Sequence, residues 1–139
     1  MSNRINIIDV YRVAFIEHAQ KMIGYTEKKT VEKYSSLFGC SALICAIIWQ
    51  RVVAHFFPLF LHKKTSPKHL LWMLYYINHY PTEDAMEAIF HADRKTIRTW
   101  IWYMLERVAQ LVHTEVSTKM FSSMLILITL CLSLLLYIF

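Results

Sequence analysis

The sequence predicts an all-α fold, a small helical bundle with one or two helix-turn-helix units and a C-terminal apolar helix. Three observations carry that prediction. Breakers are scarce, with 2 Gly and 3 Pro in 139 residues, so little interrupts helix propagation. Apolar residues recur at three- and four-residue spacing over long stretches. Alternating strand patterns bounded by turns are scarce, and no strand–helix–strand unit is visible. The 56% apolar content is high for a soluble domain. Part of it lies in the tail, and the rest must be core or interface.

The elements follow in order. Ile5 to Gly24 reads as a helix whose apolar face carries Ile8, Tyr11, Val13, Phe15, Ile16, Ala19 and Ile23, with Gly24 as the C-cap. Thr26 to Lys29 reads as a linker or helix start. Thr30 to Phe38 is predicted as a short second helix with Thr30 as N-cap. Gly39-Cys40-Ser41 is a turn, and Ser41 caps a third helix that ends before Pro58. That helix is apolar nearly all round, so it is expected to be central. Pro67 fits the first position of a fourth helix running to about Tyr80. Thr82 opens a fifth, Glu83 to Phe90, whose early acids suit a helix N-terminus. His91-Ala92 turns the chain, and Asp93 caps a sixth helix from Arg94 to about His113. The run Phe38-Gly39-Cys40-Ser41 echoes Phe90-His91-Ala92-Asp93, but further copies that would make a solenoid are missing. The predicted organisation is an N-terminal helix (1–29), a helix-turn-helix bundle (30–113), and a linker with an apolar helix (114–139).

The stretch from Pro81 to Val112 carries the sharpest functional signal. A helix, a tight turn and a second helix are laid out as in a helix-turn-helix, whose second helix enters the major groove by its N-terminal residues. Here that end carries Arg94, Lys95, Thr96, Arg98 and Thr99. Arg and Lys suit guanine edges or phosphates, and Thr suits phosphate or a thymine methyl. Ile97, Trp100, Ile101, Met104, Leu105, Val108 and Leu111 form the stripe expected to anchor the helix. Lys63, Lys64 and Lys68, with His62 and His69, form a second basic cluster suited to backbone phosphates. The net charge of +5 is compatible with a polyanion partner but does not demand one. The plain alternative for both clusters is a solvated face.

Other chemistry is not expected. Cys40, Cys45 and Cys131 contain no C-x-x-C pair, and read as small buried residues in a reducing compartment. The seven His are dispersed, and no nucleophile–base pair, phosphate loop or metal cluster is visible. Neither an enzyme nor a cofactor is expected. The opening residues do not read as a signal peptide.

Pro67 to Trp72, Tyr80-Pro81-Thr82-Glu83 and Arg94 to Trp102, with Tyr34 to Ser41 and Trp49 upstream, resemble the N-terminal region of Harbinger-type DDE transposases. The resemblance covers roughly residues 30 to 112. It implies a helix-turn-helix that binds transposon ends in double-stranded DNA. In that family a ribonuclease-H-like domain follows and cuts DNA with metal-bound acids. Here only Glu115 remains among the acids beyond Glu106, so a module without nuclease activity is expected.

Met120 to Phe139 competes with this reading. Its 20 residues carry no charge and as a helix would span about 30 Å, one bilayer core. A tail-anchored membrane protein with a cytosolic basic domain is therefore the alternative expectation. Without insertion, a nuclear location follows from the DNA-binding reading.

Overall fold

The computed structural model describes residues 6–57 and 61–114. The helices, in chain order, are α1 (Ile7–Ile23), α2 (Glu27–Phe38), α3 (Ala42–Phe56), α4 (Pro67–His79), α5 (Glu83–Phe90) and α6 (Arg94–Thr114). No strand occurs among the described residues, so the all-α expectation holds. The expected helix and membrane span at Met120–Phe139 lie outside the described residues.

Most of these helices begin at side chains that satisfy amides left open by the helix. Asn6 Oδ1 accepts the Ile8 amide at 3.1 Å, Ser41 Oγ that of Ile44 at 3.3 Å, and Thr82 Oγ1 that of Ala85 at 3.2 Å. Ser41, Thr82 and Pro67 stand where the sequence predicts them. Thr30 does not. The cap of α2 is Thr26, whose Oγ1 accepts from the Lys29 amide at 3.4 Å. Thr30 is fully buried and donates its hydroxyl to the Thr26 carbonyl at 2.8 Å. A helical threonine that bonds back to the preceding turn needs no other partner, so it can be buried with Tyr34 and Phe38.

The most buried helix is α4, not α3. Residues His69 to Leu74 are all buried in succession, whereas Leu43 of α3 stays exposed. Helix α1 packs chiefly on α3, α6 lies on α4, and α2 contacts both α1 and α4. Packing with neighbours on several sides buries α4. Its long aromatic and aliphatic side chains fill that space. At its C-terminal end α4 closes α2. Asn78 donates to the Ser36 carbonyl at 2.9 Å, and His79 Nε2 bonds the Leu37 carbonyl at 2.9 Å.

The echo seen in the sequence is a repeated local geometry. Phe38 and Phe90 are buried, followed by left-handed residues Gly39 (φ 79°) and His91 (φ 55°). Ser41 and Asp93 then cap the next helix. A left-handed conformation costs an ordinary residue about 1–2 kcal/mol. Gly39→Ala should therefore destabilise the fold by about 1–2 kcal/mol through backbone strain alone, because the added Cβ would meet Asn78 Oδ1 at 3.4 Å, an ordinary contact distance. His91→Gly should stabilise it by roughly 0.5 kcal/mol, strain relief being partly offset by backbone entropy. Urea midpoints of the two variants should shift in opposite directions.

Candidate nucleic-acid interface

Helix α5 and the N-terminal half of α6 are joined by three residues, His91 to Asp93. The His91 amide donates to the Glu87 carbonyl at 3.1 Å, closing α5. Asp93 opens α6. Its Oδ2 accepts the Thr96 amide at 3.3 Å and its Oδ1 accepts the Thr96 hydroxyl at 2.5 Å. Those two bonds hold the Asp93 carboxyl below the usual carboxylate range. Ile97, Ile101, Met104, Leu105, Val108 and Leu111 are buried, and Trp100 is half-buried against them. The anchoring stripe is thus the predicted one.

The polar residues of the first turns divide into two groups. Arg94 and Arg98 are turned back onto α5. Arg94 Nε donates to Glu87 at 3.0 Å and a terminal nitrogen donates to Glu83 at 3.3 Å, while the other terminal nitrogen pairs with Asp84. Arg98 pairs with Glu83. Arg98, then Arg94, depresses the Glu83 carboxyl, and the acids raise the Arg94 guanidinium. These groups are exposed, so each pair adds little stability alone. Glu83, Arg94 and Arg98, together with Tyr76, Met86 and Trp102, line a cleft of about 560 Å³ between α4, α5 and α6.

Lys95, Thr96 and Thr99 are exposed. Lys95 makes no ion pair among the described residues. The Thr99 hydroxyl donates to the Lys95 carbonyl at 2.8 Å, and that of Thr96 is given to Asp93. Neither hydroxyl has a spare hydrogen for phosphate. What they offer outward is a methyl group and oxygen lone pairs, which suit a thymine methyl or a base amino group.

The second basic cluster is fastened to the same helix. The His62 amide donates to Tyr103 Oη at 2.7 Å, and the Lys64 amide donates to His62 Nδ1 at 3.1 Å. The His62 ring meets Trp100 edge-on at 5.5 Å. At the start of α4, the His69 ring lies flat on Trp100, with centroids 3.8 Å apart and planes at 3°. The loop that carries Lys63 and Lys64 is thereby held beside Trp100 and Tyr103, one to two turns along α6 from Lys95. Lys68 lies on the first turn of α4, its Nζ 5.7 Å from the Trp72 ring centre. All three lysines are exposed.

Tyr103 and the two histidine contacts were not anticipated as a joint. The signal available was an aromatic pair, Trp100 and Tyr103, three residues apart on one helix flank. Among the described residues no three His, Cys, Asp or Glu side chains converge on a metal-sized site. No single described helix is long and apolar enough to cross a membrane. Comparison with protein-family models, curated proteins and solved structures gives no match.

Proposed function

We propose that this chain is a DNA-binding module in which α5 and the turn present α6 to the major groove of a duplex. Lys95 is the charged reader, Thr96 and Thr99 supply contacts to base edges, and Lys63, Lys64 and Lys68 grip phosphates beside it. Arg94 and Arg98, expected from the sequence to touch DNA, serve instead to fix α6 against α5. The observation that carries the proposal is the Tyr103–His62 joint. It holds a lysine-bearing loop against Trp100 and Tyr103, one to two turns along α6 from Lys95, so two basic elements distant in sequence lie along one helix. The resemblance of residues 30–112 to the end-binding region of Harbinger-type transposases supports the same reading. In it the chain recognises transposon-end-like DNA and cuts nothing.

The test is a salt titration of duplex binding by the full chain held in a neutral detergent. Removing one lysine that neutralises a phosphate should reduce the slope of log affinity against log salt by about 0.9. Lys63→Ala, Lys64→Ala and Lys95→Ala combined should therefore flatten it by roughly 2–3. Arg98→Gln should change it by less than about 0.5. An unchanged slope in the triple variant sinks the proposal.

The alternative is a tail-anchored membrane protein with a basic domain near anionic lipid. It is favoured by the charge-free stretch Met120–Phe139. Retention in the membrane fraction after carbonate washing, abolished by deleting that stretch, with no DNA binding in low salt, would favour it over the first.

A further inference from the structure

The turn between α2 and α3 holds a second chemical feature. Cys40 immediately precedes the cap Ser41, and Cys45 lies in the first turns of α3. These are the two positions that commonly pack together as a staple across a helix start. Here both are sulfur. Their Sγ atoms are 3.5 Å apart, with both cysteines in the free thiol form. Cys45 is fully buried and Cys40 only partly buried, so Cys40 is the more accessible residue of the pair. Beside them the hydroxyl of Tyr34 is buried without a hydrogen-bonded partner. Tyr34 is only 3% exposed, and its hydroxyl is close enough to Cys45 for each to shift the other's acidity.

We propose that Cys40 and Cys45 are a reversible dithiol–disulfide site, oxidised by a small peroxide, that covalently closes the turn between α2 and α3. The order of attack follows from access and hydrogen bonding. Either thiol can donate to the other across 3.5 Å, and with the S–H on Cys45 the bond favours the Cys40 thiolate, the direction in which Cys40 is shifted. That same bond, and then burial, keeps Cys45 protonated. Thiolate is the nucleophile, so Cys40 attacks one peroxide oxygen. The O–O bond breaks, Cys40 becomes a sulfenic acid, and the departing hydroxide takes up a proton as water. Cys45 sulfur then attacks the Cys40 sulfur as it loses its own proton. The S–O bond breaks and a second water leaves. Two thiols are oxidised, one peroxide is reduced to two waters, and no other reductant or oxidant is required. Closing 3.5 Å to a disulfide length of about 2.05 Å brings the two sulfurs together by about 1.5 Å.

The chain offers a direct readout. No Lys or Arg lies between Tyr34 and Arg51, so trypsin releases both cysteines in one peptide, residues 34–51. The experiment treats the full chain carrying Cys131→Ser with stoichiometric hydrogen peroxide, blocks remaining thiols with iodoacetamide, and maps peptides. The expected peptide is two hydrogens lighter than its reduced form, unalkylated, and restored by dithiothreitol. A doubly alkylated peptide, over-oxidation of Cys40 without a bond to Cys45, or a disulfide found only between chains would overturn the proposal. Cys45→Ser should leave a Cys40 sulfenic acid trapped by dimedone. Cys40→Ser should slow peroxide consumption at least about tenfold. Equal dimedone labelling of both single variants would refute the order of attack. The Cys131→Ser map, which keeps both Cys40 and Cys45, stands even if Cys40→Ser or Cys45→Ser fails to fold.

Discussion

Trp72→Ala is expected to cost about 3–5 kcal/mol, the range for removing a large aromatic side chain from a core. Trp72 is 4% exposed and joins α4 to α5. Its ring is stacked on Phe90, the last residue of α5, at 5.2 Å and 6°. His69 meets it edge-on at 5.0 Å and 80°. Offset-stacked and edge-on rings gain beyond their buried area, so alanine removes packing and two ring contacts, including one of the two from α4 to Phe90, the other being Tyr75 at 5.8 Å. A domain of this size has about 5–15 kcal/mol in total, and the loss should lower the melting temperature by roughly 10–20 °C. Trp72→Phe keeps a ring to stack on Phe90 and should lose less than half as much. Thermal and urea unfolding followed by far-ultraviolet circular dichroism measure both. A loss below about 1 kcal/mol for Trp72→Ala would mean that the stack does not hold α5 in place.

The second large effect is a dependence on pH through His69. Burial, then the neighbouring charges of Lys68 and His18, pulls its value from 6.5 down to about 4. The ring also has work as an acceptor, since Nδ1 takes the Ser66 amide at 3.1 Å while its face lies on Trp100. Protonation would replace that acceptor by a donor and put a charge in a buried stack. Between pH 6.5 and 4 the unfolded chain holds a proton that the folded chain lacks. The stability from neutral His69 is therefore complete above about 6.5 and is lost as pH falls toward 4. From pH 7.5 to 5 the loss should be about 2 kcal/mol. His18, lowered by burial and then by Lys21 and Lys68, adds a smaller loss of the same sign. Stopping at pH 5 keeps the titration of Glu83 and Asp93 out of the window. His69→Asn places an amide oxygen near the Nδ1 position, so it should be less stable at pH 7.5 yet lose much less on acidification. Parallel pH profiles for the two proteins would refute the assignment to His69.

What the sequence made legible was local. Gly24, Ser41, Pro67, Thr82 and Asp93 act at helix ends because each supplies its backbone effect within a turn. His91 could be placed in the turn because it lies between the predicted end of α5 at Phe90 and the Asp93 cap, but its left-handed backbone is shown only by the structure. Thr30 misled, because its N-cap chemistry is the same chemistry that lets a helical threonine bond back to Thr26. The central place given to α3 failed for another reason. Its apolar girth was visible, but burial depends on neighbours, and α4 has more of them. The candidate site was legible as composition and not as geometry. Glu83 and Arg98 lie on different helices, and no spacing rule links them. Nor does helical spacing show that a loop at His62 is bonded to Tyr103, or that Trp100 is stacked while Trp102 remains 37% exposed in the cleft. Cys40 and Cys45, likewise, are neighbours only across a turn.

The caps at the helix ends carry a consequence for how the chain reaches this structure. Nucleation is the slow, unfavourable part of forming any helix. At Asn6, Thr26, Ser41, Thr82 and Asp93 the first turn is stabilised by a side chain within three residues of the amide it satisfies. Those nuclei can form before any distant segment arrives. Bundles dominated by such short-range contacts collapse in microseconds to milliseconds. The slower event expected is the docking of α4, whose rings need Phe38 of α2 before it and Phe90 of α5 after it.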